Sequence, residues 1–225
     1  MNVKKIIGLA MLASAAMGVA GTANAEGTVS GSVALTSDYV FRGITQTLGN
    51  PAIQGSLDYT NDIFYAGVWG SNVDFGLDET VELDVYAGVK PVLGPVTFDF
   101  GVIGYFYPGS TDLAGEFDYF EGKAAASIAP VEGLSLGAAL YYSPEFTFET
   151  GEATYLEANG AYALTDAFSV SGAFGVQDVD LLGDYQTWNL GGSYSVSGFK
   201  FDLRYHDTDI TGADEIINFT ISRAL

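Results

Sequence analysis

The stretch VELDVYAGVK, Val81 to Lys90, places Val81, Leu83, Val85, Ala87 and Val89 on one parity and Glu82, Asp84, Tyr86, Gly88 and Lys90 on the other. Successive side chains of an extended chain point to opposite faces, so this period of two predicts a β-strand with one apolar and one polar face. The same beat recurs along the rest of the chain. It predicts about twelve strands, near 28–41, 51–60, 63–73, 80–90, 95–107, 117–129, 133–143, 153–164, 168–177, 185–196, 198–206 and 215–225.

The connections alternate in length. Tight ones fall at Asn61-Asp62, Pro91 to Pro95, Pro130 to Gly133, Thr165 to Ala167 and Ser197-Gly198. Long ones fall near 42–50, 74–79, 108–116, 144–152, 178–184 and 207–214. Short turns on one side and long loops on the other, with an even strand count, describe an antiparallel up-and-down transmembrane β-barrel. By that rule the turns and both termini are expected on the periplasmic side and the loops outside the cell.

The start of the chain supports export. Lys4 and Lys5 precede an apolar run, Ile6 to Val19, and Ala23-Asn24-Ala25 has the form of a processing site. Residues 1–25 are therefore expected to be a cleaved signal peptide and 26–225 one barrel domain. Without Lys4 and Lys5 the chain keeps six basic residues against 28 acids, a formal charge of −22. That balance excludes the basic footprint that nucleic acid requires. There is no cysteine, hence no disulfide or thiol chemistry. The 29 glycines and 31 aromatics suit crowded barrel walls and interface girdles rather than a disordered acidic chain.

Parity names the expected outer face. It carries Val29, Val33 and Leu35, then Val96, Phe98, Phe100 and Val102, then Leu134, Leu136 and Leu140, then Phe168, Val170, Phe174 and Val176. Aromatics fall toward the long loops at Phe41, Phe106, Tyr142, Trp188 and Tyr205, and toward the turns at Tyr59, Phe98, Phe168 and Phe199. Two such belts suit the two headgroup layers of a membrane. A soluble barrel would show the same alternation with its apolar face inside. Strand number, loop asymmetry and the paired belts favour lipid outside.

The run LTSDYVFRGITQT (Leu35 to Thr47), with PAIQGSLDY and FYAGVWGSNVDFG after it, resembles the Gcw_chp family of Gram-negative envelope proteins, also labelled TorF-like porins. The resemblance is specific from about Val33 to Gly88 and continues beyond as pattern and length. It implies an exported outer-membrane barrel of porin type with no established substrate. The chain ends Phe219-Thr-Ile221-Ser-Arg223-Ala-Leu225, so Leu225 stands where many barrels present an aromatic to the assembly machinery.

Sixteen of the 28 acids lie on or beside the long loops, four at the turn rim and eight within strands. Asp178, Asp180 and Asp184, with Asp207 and Asp209, are oxygen-rich enough to be weak candidates for a hard cation. They lack the spacing of a calcium loop, so no metal site is assigned and no cofactor is expected. The polar strand face carries Asp38, Asp58, Glu82, Asp84, Asp99, Glu121, Lys123, Glu157, Lys200, Asp202 and Arg204. These are expected in the lumen, because a charge facing mid-bilayer lipid is costly, about 2–4 kcal/mol for Lys or Arg and less for Asp or Glu. Lys123 is expected to pair with Glu121 or its neighbours, and Arg42 with Asp38 to anchor the first loop, the alternative for Arg42 being a contact for a permeating anionic group. The inward tyrosines Tyr86, Tyr105, Tyr107, Tyr141 and Tyr155 can close the lumen or line a path.

Catalysis is the least supported class. The one histidine, His206, is on inward parity, while its neighbour Asp207 points the other way. Twelve strands enclose a backbone cylinder roughly 24 Å across, which side chains narrow. The expectation is therefore an outer-membrane porin passing small, unidentified solutes with a weak preference for cations. Its partners would be membrane lipid, lipopolysaccharide and the assembly machinery. A filled, non-conducting barrel is the alternative.

Overall fold

The computed structural model describes residues 27–76, 79–110 and 117–225. The signal-peptide expectation lies outside them, as do the loop acids Asp78, Asp112 and Glu116. The strands in chain order are β1 (Thr28–Thr36), β2 (Val40–Phe41), β3 (Ile44–Thr45), β4 (Ala52–Asn61), β5 (Phe64–Asn72), β6 (Val81–Val89), β7 (Val92–Leu93), β8 (Val96–Phe106), β9 (Tyr119–Val131), β10 (Leu134–Ser143), β11 (Ala153–Ala163), β12 (Phe168–Val179), β13 (Gly183–Val196), β14 (Phe199–Thr208) and β15 (Ile216–Ala224).

Twelve of these form the wall: all except β2, β3 and β7. Each wall strand pairs antiparallel with the next, β6 pairs with β8 across the short β7, and β1 pairs with β15. The last pairing, Ser32–Thr36 against Thr220–Ala224, closes the ring, so the wall strands find backbone partners in one another rather than in water.

The face assignment follows the alternation. Val29, Leu35, Ile53, Leu57, Val85, Val102, Leu156, Leu190, Leu203 and Ile217 stand exposed on the outside. The buried interior is instead mostly tyrosine, acid, serine and threonine. This is the inverse of a soluble barrel, and an apolar surface of this extent suits hydrocarbon rather than water. Aromatic belts flank it, with Tyr142, Trp188 and Tyr205 exposed at the long-loop end and Tyr59, Phe168 and Phe199 at the turn end. Strand β5, whose run Phe64 to Trp69 is apolar on both parities, resolves cleanly. Phe64, Ala66 and Val68 point outward, while Tyr65, Gly67 and Trp69 are drawn inward.

One segment departs from its expected place. The first strand was expected to run to Phe41, with 42–50 an outer loop. Wall pairing instead stops at Thr36, and β2 and β3 make a separate hairpin paired only with each other. Phe41 is accordingly not an outer-belt residue. Its ring lies inside, 6.0 Å from that of Tyr105. The connection near 178–184 is also shorter than expected, because β12 continues to Val179 and β13 begins at Gly183.

Candidate functional site

The inner hairpin organises the lumen. Its turn is Arg42-Gly43, closed by the Phe41–Ile44 pair, with φ of 46° and 84°. Two positive φ values mark the type I′ turn whose twist matches a β-hairpin. Arginine is an unusual occupant, since a left-handed non-glycine residue costs roughly 1–2 kcal/mol. The surrounding contacts explain why it stays. Nη1 and Nη2 of Arg42 donate to Oε1 and Oε2 of Glu121 at 2.8 and 2.7 Å, and Nη1 also donates to Gln177 Oε1 at 2.9 Å.

The guanidinium is sandwiched by rings, 4.4 Å from the centroid of Tyr155, 4.7 Å from Phe41 and 5.1 Å from Tyr141. Tyr185 Oη donates to the Arg42 carbonyl. Burial alone would lower the Arg42 pKa, but the Glu121 carboxylate outweighs it and holds the group above the ordinary arginine value. The hairpin leaves the end of β1 and reaches Glu121 on β9, five wall strands away in the ring, so it extends across the lumen.

The stem is held by its own residues. Thr45 and Thr47 donate hydroxyls to Asp38 Oδ1 at 2.7 and 2.9 Å. Asp38 and Arg42 are thus both part of the anchor, but not as the expected ion pair. Asp38 serves the stem and Arg42 finds Glu121. The reason is the turn, which carries the two side chains apart.

The other sequence candidates all sit inside the barrel. Tyr39 and Tyr107 donate to Glu82 at 2.9 and 3.1 Å, and Tyr105 donates to Glu121 at 3.0 Å. Tyr86 and Ser56 donate to Asp58. Tyr155 and Asn159 donate to Glu157. Lys123 pairs with Asp99 at 2.8 Å rather than with Glu121, and Lys90 approaches the same carboxylate at 3.8 Å. Parity accounts for the first pairing. Lys123 and Gly101 are register partners on β9 and β8, which brings the amine beside Asp99 two residues along. On the far wall Arg204 donates to Asp202, Asn189 and Ser171. Lys200 lines the same region and makes no ion pair among the described residues.

Among the described residues, two adjoining cavities of about 280 and 130 Å³ lie inside the barrel. The larger runs beside β1, β15 and β14, from Ser30 and Leu225 up to the hairpin. The smaller lies between Lys90, Asp99, Lys123 and Ser171. Ile103, Glu157, Asn189 and Arg204 border both. At the long-loop end a cluster of Val73, Tyr105, Tyr107, Phe117 and Tyr119, packed by Phe41, Phe75, Phe146 and Phe148, fills the sector over β5 to β10. Sequence reasoning missed the inward use of Phe146 and Phe148, whose loop carried no alternation to read.

The loop acids mostly cap backbone. Asp180 accepts from the Glu152 amide, Asp209 from the Gln186 amide, and Asp207 from Tyr205 and the Thr208 amide. Asp178 and Asp184 face each other across β12 and β13. Among the described residues, no three acid, histidine or cysteine side chains are arranged to hold a metal ion. His206 is half-buried against the larger cavity.

Several solved outer-membrane barrels share this fold. KdgM porin superposes with a TM-score of 0.61 at 8% identity, covering 87% of this chain and 97% of its own. The COG4313 outer membrane channel from Pseudomonas putida F1 gives 0.54 at 9% identity, covering 88% and 95%. Against a porin refined at 1.8 Å resolution, 18% identical with a TM-score of 0.46, the match covers 77% of this chain and 62% of that one. No curated protein sequence matches. A bacterial family described as "Bacterial protein of unknown function (Gcw_chp)" matches residues 20–223, so nearly the whole chain is spanned and this protein belongs to the Gcw_chp family.

Proposed function

We propose that this protein is an outer-membrane channel for passive passage of small solutes, with a weak preference for cations. The observation that carries this reading is the pair of adjoining cavities, bordered by charged side chains such as Asp84, Asp99, Lys123, Lys200 and Arg204, inside a barrel with an apolar exterior. A barrel filled only for stability would need no such space. The eight inward acids, seven on wall strands and Asp38 in the hairpin stem, exceed the inward cations, and the long-loop end adds further acids. Such a field concentrates cations and repels anions. KdgM porin has been solved in complex with disordered oligogalacturonate. That ligand carries carboxylates, which the acid-rich lumen here disfavours, so the solute differs in charge. The Arg42 hairpin is the constriction that sets the size limit. The turns and both termini face the periplasm, and the outer surface contacts lipid and lipopolysaccharide.

The test is single-channel recording of the mature protein in a planar bilayer under a potassium chloride gradient. The expected result is a small conductance with a reversal potential of cationic sign that shrinks as salt rises. Anion selectivity would mean that Lys200 and Arg204 control permeation, and the charge argument would fail. One observation favours a second reading, a non-conducting structural barrel: the hairpin and the aromatic cluster together cover much of the long-loop end. Absence of current from correctly folded protein would select it.

A further inference from the structure

Asp84 differs from the other inward acids. Glu82, Glu121, Asp38, Asp58, Asp99, Glu157 and Asp202 each accept hydrogen bonds from hydroxyl, amide or cationic donors. Asp84 is 3% exposed, and its Oδ1 has no hydrogen-bond partner among the described residues. A buried carboxylate oxygen without a donor is costly, so the site is built around something that supplies one.

The surroundings define its chemistry. Trp69, Asp84 and Tyr105 are register partners on β5, β6 and β8, so they form one row across the wall. Tyr39 of the hairpin stem packs edge-on against Trp69, with centroids 5.3 Å apart. All four border the larger cavity. Glu82, on the same face two residues from Asp84, and Glu121 share this corner, where Arg42 is the cation in contact. Three carboxylates against one guanidinium leave a deficit of positive charge at the edge of the cavity. A metal ion lacks the ligand set. A hydrated alkali ion gains little from the rings. An alkylammonium group gains from both sides, with N–H donated to the carboxylate and its carbon-bearing periphery against aromatic faces.

We propose that Asp84, Trp69, Tyr39 and Tyr105 form a lumenal subsite for a small monovalent organic ammonium ion. The subsite deepens the channel reading, on which its role in passage rests. Lys200 and Arg204 border the other side of the cavity and disfavour a second positive charge there. The competing occupant of the corner is a proton shared between Glu82 and Asp84.

The chain has two tryptophans, Trp69 inside and Trp188 on the outer surface, so Trp188→Phe leaves Trp69 as the sole reporter. In that background, ethylammonium chloride titrated at constant ionic strength should change Trp69 emission saturably, and sodium chloride should not. Asp84→Asn should weaken the apparent affinity at least tenfold, with the barrel checked by circular dichroism. Should that variant fail to fold, Tyr39→Leu must weaken ethylammonium binding while the barrel persists. An ethylammonium response no different from sodium, or one unchanged by these substitutions, overturns the subsite. Loss of an infrared carboxylic-acid band in Asp84→Asn, without an ethylammonium effect, identifies the proton as occupant and overturns it too. The two readings separate in bilayers. Cation current that ethylammonium does not block removes the subsite and leaves the channel. A saturable Trp69 response in a protein without current removes the channel and leaves the subsite.

Discussion

Two hairpin turns in this protein share one backbone geometry and differ in everything around it. Arg42-Gly43 and Ser197-Gly198 are both two-residue turns with positive φ at both positions, 46° and 84° in the first, 51° and 81° in the second. Ser197-Gly198 joins β13 to β14 at the rim. A Cβ on Gly198 would meet nothing within 4 Å. Arg42-Gly43 lies inside the barrel, where a Cβ on Gly43 would strike Thr187 and Thr208. The Ser197-Gly198 turn connects two strands that the wall already holds. The Arg42-Gly43 turn is held by contacts made only after the wall has closed, to Glu121, Gln177, Tyr155 and Tyr141. Local turn chemistry therefore sets the hairpin, and barrel closure decides whether it lies at the rim or inside the lumen.

The strongest way to break this contrast is Arg42→Ala. It strands Glu121 without its cation, and removing one partner of a buried pair costs about 3–5 kcal/mol. The hairpin should loosen. Larger, noisier single-channel currents with stronger cation selectivity are expected, together with a lower denaturant midpoint. Unchanged currents would show that the hairpin does not set the constriction.

Gly43→Ala comes next. It combines a left-handed backbone with contacts too close for a methyl group, about 2–3 kcal/mol together. It should resemble Arg42→Ala in conductance while retaining the Glu121 pair in part. Gly198→Ala isolates the backbone contribution alone, about 1 kcal/mol. A modest shift in unfolding with unaltered currents is expected. Equal effects from the two glycine changes would erase the distinction between the turns. Ser197→Asn is the smallest change. Asparagine tolerates the first position of this turn better than serine, so a gain of roughly 0.5 kcal/mol should appear in the unfolding midpoint and nowhere else.

The sequence by itself determined the wall. Alternation such as that of Val81 to Lys90 specifies strand, face and register together, because a slip of one residue would turn Glu82 and Asp84 into lipid. Turn chemistry at Ser197-Gly198, the belts at Trp188 and Phe168, and the inward placement of the strand-borne charges were legible for the same reason. What lay beyond sequence was the interior partnership. Phe41 and Arg42 continue the alternation of the first strand, and nothing local distinguishes a strand that runs on from one that turns inward. Lys123 could have met Glu121 on its own strand or Asp99 on the next, and only register chose. The vacant acceptor on Asp84 was likewise invisible, since an acid's partners depend on residues brought together by ring closure. Face is a local property of an extended chain. Partner choice across a lumen is set by the geometry of the whole ring, so only the tertiary structure decided it.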